Sequence, residues 1–141
     1  MHFDPNNNVV KLCAQEMSFE GEGKKEEACK ISQQAWAEAA NDTEKFISAH
    51  YVARYQENVA DKLYWDKTAL NFALKINDQD IKGSYPSLYL NIAKCYEDLN
   101  NPDEARDSYR LALSFAYNLP NDGYGKMIKS GIKSGLERVK K

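Results

Sequence analysis

The stretch from residue 86 to residue 120 constrains the fold of this chain most strongly, because it reads as two amphipathic helices joined by a tight turn. Apolar side chains in its first half recur at the spacing of one face of an α-helix, at Leu88, Ile92, Cys95, Tyr96 and Leu99. Polar side chains fill the opposite face. The first half is therefore predicted to form a helix with one buried side.

The turn that follows carries a clear helix-start signal. Asn101 is a good N-cap residue, and Pro102 suits the first helical position because its missing N–H is not needed there. The second helix repeats the apolar stripe at Ala105, Tyr109, Ala112, Leu113 and Ala116. Ala93 and Ala105 lie on the facing sides of the two predicted helices, where small side chains let the backbones approach to about 8 Å.

This stretch resembles a tetratricopeptide repeat, whose pattern combines aromatic, aliphatic and small residues at fixed spacing. The positions that match in kind are Tyr89, Ile92, Ala93, Tyr96, Ala105, Tyr109 and Pro120. Pro120 comes a few residues late, so the second helix is expected to be extended. The resemblance implies an all-α fold, a right-handed α-α superhelix in which helical hairpins stack side by side.

Two weaker copies precede this repeat, which places the three repeats at about residues 5–41, 42–78 and 84–120. Comparable alanines in their second helices, Ala35, Ala73 and Ala112, are 38 and 39 residues apart. The family's period is about 34 residues, so we expect longer second helices or longer linkers, such as residues 77–85. Asp42 or Thr43 is expected to cap the third helix, and Asp4-Pro5 or Asn8 the first.

Two acidic residues depart from the family's pattern of small residues at the helix contacts. Glu16 occupies such a position in the first repeat, and Asp66 occupies one in the second. Glu16 is expected either to tilt its helix pair or to point outward beside the turn.

The segment after Pro120 predicts a seventh helix, at about residues 122–140. Its apolar stripe consists of Tyr124, Ile128, Ile132, Leu136 and Val139. Gly131 and Gly135 lie near that stripe, which suggests close packing against the third repeat. This resembles the solvating helix that covers the last repeat of such arrays, and the whole chain, residues 1–141, is expected to form a single domain.

Composition excludes several classes of protein. The net charge of −2 gives no nucleic-acid signal for the whole chain, and no apolar run approaches the roughly 18 residues that span a bilayer. The first ten residues lack the basic and apolar regions of a secretory signal, so a cytoplasmic location and no membrane partner are expected. Cys13, Cys29 and Cys95 show no metal-ligand spacing and are interpreted as buried free thiols, although an incidental Cys13–Cys29 disulfide under oxidation stays open.

No catalytic, cofactor or metal site is predicted. His2 is terminal and His50 stands alone in a helix, so neither belongs to a recognisable triad or ligand motif. The glycine-rich residues 122–131 lack both the preceding strand of a dinucleotide fingerprint and the spacing of a P-loop. We therefore expect a protein that is not an enzyme.

The resemblance implies a concave groove, lined by the first helices of successive repeats, that takes a peptide or protein segment. Transferred to this sequence, its central residues are His50, Arg54, Glu57, Leu90, Asn91, Lys94 and Glu97, with Val10, Cys13, Met17, Glu20, Ile47 and Ser87 beside them. Cys13 and Met17 occupy positions of the lysine/asparagine clamp by which chaperone-binding relatives grip a C-terminal carboxylate, which argues against that ligand. The predicted function is a protein-interaction adaptor whose partner segment carries one or two acidic residues and an apolar anchor.

Two alternatives remain from the sequence. Residues 121–141 hold six basic and two acidic residues, a net charge of +4 that leaves −6 for the rest, so an RNA-associated factor or a component of an RNA-modifying enzyme is the second hypothesis. A solvated face on the last helix is the simpler interpretation, and no nucleic-acid partner is expected. A self-associating structural protein, with exposed aromatic residues such as Tyr51 or Trp65 at a dimer face, is the other hypothesis. The chain is expected to be a monomer or a weak homodimer.

Overall fold

The computed structural model describes residues 4–140, which form seven α-helices and no strand. The helices are α1 (Asn8–Gly21), α2 (Lys25–Glu38), α3 (Asp42–Ala53), α4 (Val59–Ala73), α5 (Tyr85–Asp98), α6 (Pro102–Ser114) and α7 (Gly123–Arg138). Consecutive helices pair as three hairpins, α1 with α2, α3 with α4 and α5 with α6, and α7 packs on α5 and α6. The prediction of an all-α fold with about seven helices is confirmed.

Asparagine side chains cap the N-termini of four of these helices. The Oδ1 atoms of Asn7, Asn41 and Asn58 each accept a hydrogen bond from a backbone N–H two or three residues onward, at 2.8–2.9 Å. Asn101 caps α6 as predicted, with a longer bond to the Glu104 N–H at 3.4 Å. The caps predicted for α1 and α3 were wrong by one residue or more, since the observed caps are Asn7 and Asn41. Each asparagine side chain accepts hydrogen bonds from the free N–H groups of the first turn, so the helix begins at the next residue.

Fully buried alanines line the contacts between helices. Those with 0% exposure are Ala28 and Ala35 of α2, Ala49 of α3, Ala69 and Ala73 of α4, Ala93 of α5, and Ala105 and Ala112 of α6. Ala93 and Ala105 share one buried cluster with Tyr109, as the sequence predicts for the third hairpin. Methyl groups at these contacts allow the helices to approach at the short end of the usual packing range.

Larger side chains join neighbouring hairpins. Trp36 of α2 meets Trp65 of α4 edge to face, with ring centroids 5.0 Å apart, and the Lys45 ammonium lies 4.7 Å from the Trp36 ring centroid. Asp66 is 2% exposed, and its Oδ2 atom accepts from the Lys62 ammonium at 2.7 Å and from the Cys95 thiol of α5 at 3.4 Å. The acidic residue that departs from the repeat pattern therefore ties the second hairpin to the third.

The additional length of the repeats lies mainly in the linkers. α4 and α5 are connected through a 3₁₀ turn, Gln79–Ser84, whose Ile81 side chain is 1% exposed. The expected extension of α6 is wrong, since the helix ends at Ser114 and a separate 3₁₀ turn, Ala116–Asn118, leads to Pro120. Both turns contact each other beside the start of α5.

α7 covers the third hairpin through glycine contacts and a polar network. Gly135 lies so close to the buried Tyr109 ring that a Cβ atom would overlap it. The Tyr109 hydroxyl donates to Glu97 of α5 at 2.7 Å, and Arg138 of α7 donates from Nε to the other Glu97 oxygen at 2.7 Å. These bonds join three helices, and the Arg138 guanidinium holds the pKa of the Glu97 carboxyl below its ordinary value.

We predict that Gly135→Ala lowers the free energy of unfolding by about 1–3 kcal/mol, the usual cost of overpacking, although alanine is the better helix former. The Tyr109 ring cannot move aside without losing its bond to Glu97. The matched control is Gly123→Ala, where a Cβ atom meets nothing within 4 Å. Urea unfolding followed by circular dichroism checks both variants, and equal stabilities for the two would contradict the packing described for α7.

Candidate functional site

The first helices of the three hairpins border an open pocket of about 310 Å³. α1 contributes Val10, Cys13, Ala14 and Met17, and α3 contributes Phe46, Ile47, His50 and Tyr51. The pocket therefore lies on the face that the sequence assigns to the groove, between the N-terminal part of α1 and the middle of α3.

The remaining wall comes from the C-terminal part of the chain. Ser84, Ser87 and Leu88 line the pocket at the start of α5, and Tyr124 lines it from the first turn of α7. The pocket thus joins residues that are more than 100 positions apart in the sequence.

Polar atoms in the lining are mostly engaged within the protein. The Tyr51 hydroxyl lies 3.1 Å from the Met17 sulfur, and the Ser87 hydroxyl donates to the Ser84 carbonyl at 3.1 Å. Burial raises the pKa of the Cys13 thiol to about 12, and the nearby Glu16 carboxyl adds to the shift. Cys13 is thus held as a neutral thiol, and the pocket surface is apolar.

His50 is the histidine of the pocket. Burial is the main reason that its pKa is lowered, since the charged imidazolium would lose hydration, so the ring is neutral near pH 7. Its Nδ1 atom is buried and has no hydrogen-bond partner among the described residues. The ring packs edge to face on Tyr51, with centroids 5.7 Å apart.

The other groove residues predicted from α3 lie away from the pocket. Arg54 is exposed and forms an ion pair with Glu20 of α1 at 2.6 Å, at the C-terminal end of both helices. Glu57 is exposed in the connection between α3 and α4. Of these three α3-side predictions, only His50 lines the pocket.

The groove residues predicted from α5 divide into two groups. Asn91 is half-buried, and Lys94 is exposed and pairs with Asp98 on its own helix at 2.8 Å. Leu90 and Glu97 are covered by α7, since a Cδ atom of Leu90 is 3.3 Å from the Cβ position of Gly131 and Glu97 is bound by Arg138. α7 therefore occupies the part of the α5 face that these two residues were predicted to offer.

Glu16 lies next to the pocket, and it points inward. The expectation that it might point outward is wrong, because its side chain is fully buried between α1 and α3, where the Tyr55 hydroxyl meets its Oε1 atom and its Oε2 atom has no partner. The same hydroxyl is 2.5 Å from Glu20, which pairs with Arg54. Burial raises the pKa of Glu16 to about 7, and Arg54 only partly offsets that shift.

Tyr124 is the pocket residue that sequence reasoning placed incorrectly. Its position on the apolar stripe of α7 predicted a packed side chain, yet 47% of its surface is exposed beside the pocket. The sequence did contain a signal for this exposure: Tyr124 lies between two glycines at the start of the last helix, and neither neighbour has a side chain that could cover its ring.

Other candidate sites find no support in residues 4–140. No three His, Cys, Asp or Glu side chains of this region lie close enough to hold a metal ion. His2 lies outside the described residues, and the glycine-rich residues 122–131 form the start of α7. Cys13, Cys29 and Cys95 are free thiols; Cys13 and Cys95 are buried as predicted, whereas Cys29 is only half-buried. None of the helices described is long and apolar enough to cross a membrane.

We predict that the contribution of Glu16 to the stability of the protein falls as pH rises from about 4.5 to about 7. Below this window the carboxyl is protonated in both states. Within it the unfolded chain has released a proton that the folded chain keeps, so folding is increasingly disfavoured. Glu16→Gln should reduce the loss of stability between about pH 5 and about pH 8 by roughly 1–3 kcal/mol, since one pKa unit corresponds to about 1.4 kcal/mol.

Urea midpoints of wild type, Glu16→Gln and the exposed control Glu57→Gln at both pH values measure this effect. The control should follow wild type. An identical pH dependence in Glu16→Gln and wild type would show that Glu16 does not titrate in this range.

One of the comparisons with known proteins gave a match, and it falls on the third hairpin. Residues 86–118, which contain α5 from its second residue, α6 and the following 3₁₀ turn, match the family model described as Tetratricopeptide repeat. Neither the search of curated proteins nor that of solved structures gave a match. The third hairpin is thus similar to a tetratricopeptide repeat, and the all-α arrangement of stacked hairpins is consistent with a tetratricopeptide-like helical repeat fold.

Proposed function

We propose that this protein is a non-enzymatic adaptor that binds an extended segment of a partner protein along the face formed by α1, α3 and α5. The observation that carries the proposal is the pocket that these three first helices share. Tetratricopeptide repeats are protein-interaction modules, and an extended segment can place one side chain in the pocket while its backbone follows the groove.

Two polar regions extend the proposed groove beyond the pocket. Glu20 and Arg54 lie one turn beyond Met17 and His50, and Lys94 and Asp98 lie further along α5. Such exposed ion pairs contribute only about 0–1 kcal/mol, so acidic groups of a partner can exchange for Glu20 or Asp98 at little cost. This supports a segment with an apolar anchor and one or two acidic residues nearby.

The chemistry of the pocket supports a binding role over catalysis. Cys13 is a poor nucleophile because burial keeps it protonated, and the neutral His50 ring has no carboxylate bonded to Nδ1 to orient it as a base. Free, buried thiols at Cys13 and Cys95 are typical of a reducing compartment, which supports a cytoplasmic location within this proposal.

An RNA-associated role has weaker support. Arg106, Arg110 and Lys140 surround a depression of about 520 Å³ between α6 and α7, together with Leu136 and Glu137. The Arg106 guanidinium is already bound to the Val139 carbonyl, at 2.6 Å and 2.9 Å, and to Asp103. One of the three cations of this surface is therefore already engaged within the protein.

We predict that Met17→Glu lowers the affinity for a groove-bound peptide at least about tenfold, a loss of about 1.4 kcal/mol, because it places a carboxylate on the apolar pocket. Peptides selected from a phage-displayed random library on the immobilised protein provide the ligands, and fluorescence anisotropy measures their affinity. Met17 is 50% exposed, so the variant is expected to fold.

Leu111→Glu on α6 is the matched control, since Leu111 is 45% exposed and does not line the pocket. It should bind the selected peptides like wild type. The proposed function fails if no peptide is selected, or if every selected peptide binds Met17→Glu as tightly as Leu111→Glu.

A further inference from the structure

A single side chain of α7 completes the pocket. α7 packs mainly on α5 and α6, where it buries Ile128 and Ile132, yet its first turn directs Tyr124 toward the pocket that α1 and α3 line. Within residues 4–140 the hydroxyl of Tyr124 has no hydrogen-bond partner, and the side chain is 47% exposed. Tyr124 therefore offers an aromatic surface that the folded protein leaves uncovered.

The backbone that carries Tyr124 is held in place. Asp122 caps the helix by accepting from the Gly125 N–H at 2.9 Å. Gly125 is buried against the Pro120 carbonyl so closely that no Cβ atom fits between them. The start of α7 is thus anchored on both sides of Tyr124, and little ordering of this wall is needed when a ligand binds.

The lining of the pocket selects against charge. It contains no Lys, Arg, Asp or Glu, and burial favours the neutral form of His50. The Arg54 guanidinium, whose charge acts on His50, is paired with Glu20. A charged group that entered the pocket would lose its hydration and gain no opposite charge, which is unfavourable.

We propose that the pocket takes one uncharged aromatic or branched aliphatic side chain from a segment of a partner protein, with the Tyr124 ring as its fourth wall. This proposal rests on the proposed function and specifies the anchor of the bound segment. The volume of about 310 Å³ is near the lower limit of small-molecule pockets, about 300–1,000 Å³, which suits a side chain delivered by a longer segment. Charged residues of that segment lie outside the pocket, toward Arg54 and Lys94.

Three tyrosine variants test the proposal with the peptides selected by phage display. Tyr124→Ala should weaken binding about threefold to tenfold, because it removes an aromatic contact. Tyr124→Phe keeps the ring and should bind like wild type. Tyr117→Ala is the matched control, since Tyr117 is 76% exposed and does not line the pocket. The selected peptides should share one uncharged aromatic or branched aliphatic residue. When that residue is replaced by Asp, the peptide should bind wild type and Tyr124→Ala with the same affinity.

The outcomes separate this proposal from the proposed function. Peptides that lose affinity for Met17→Glu but bind Tyr124→Ala like wild type would leave the adaptor function standing and overturn the role of Tyr124. A shared acidic or basic residue at the position sensitive to Tyr124→Ala would overturn the uncharged anchor. Light scattering measures the oligomeric state of wild type and Tyr124→Ala. If wild type is a dimer and Tyr124→Ala is a monomer, a second copy of the chain fills the pocket and the proposal is wrong.

Discussion

The close contact of helices across buried alanines is the constraint on which this structure depends. In the third hairpin Ala93 and Ala105 bring two backbones together, and Tyr109 fills the space beside them. Similar alanines in α2, α3 and α4 repeat that contact along the chain. Because each hairpin presents its first helix in the same direction, α1, α3 and α5 border one pocket. The geometry of the proposed site follows from residues that never touch its ligand.

Two acidic residues replace small ones at these contacts, and both join neighbouring hairpins. Asp66 is buried with Lys62 and Cys95, and Glu16 is buried with Tyr55. Burying a carboxylate is costly unless it is paired, so each substitution is compatible with folding only beside its own partner. The Asp66 cluster is well satisfied, whereas Glu16 keeps one oxygen without a partner and retains its proton to about pH 7. The contact between the first two repeats is thus the more sensitive to pH.

Local patterns in the sequence were sufficient to predict the helices, the Asn101 cap and the packing of Ala93 on Ala105. They were insufficient for the helix starts at Asn7 and Asn41, because several neighbouring Asn, Asp and Thr residues have similar capping preferences. The 3₁₀ turns were also missed, since a buried Ile81 in a polar linker has no periodic signal. Tertiary contacts decide such details, and a single sequence does not display them.

The groove illustrates the same limit. Arg54, Lys94 and Glu97 attract attention as charged residues on the first helices, but the folded chain provides a partner for each of them, in Glu20, Asp98 and Arg138. The apolar pocket requires Tyr124, whose distance in sequence from Met17 hides their proximity. A prediction from the charged residues of a helix therefore overestimates the polar contacts available to a ligand. In the proposed site, apolar contacts with the pocket are expected to contribute more than ion pairs.

The most direct measurement of the central claim is a titration of the ¹⁵N-labelled protein with a selected peptide, followed through its backbone amide resonances. The account predicts that the largest shifts belong to residues of α1, α3 and the first turn of α7 around Met17, His50 and Tyr124. Shifts concentrated in α2, α4 and α6, with these three residues unchanged, would contradict it.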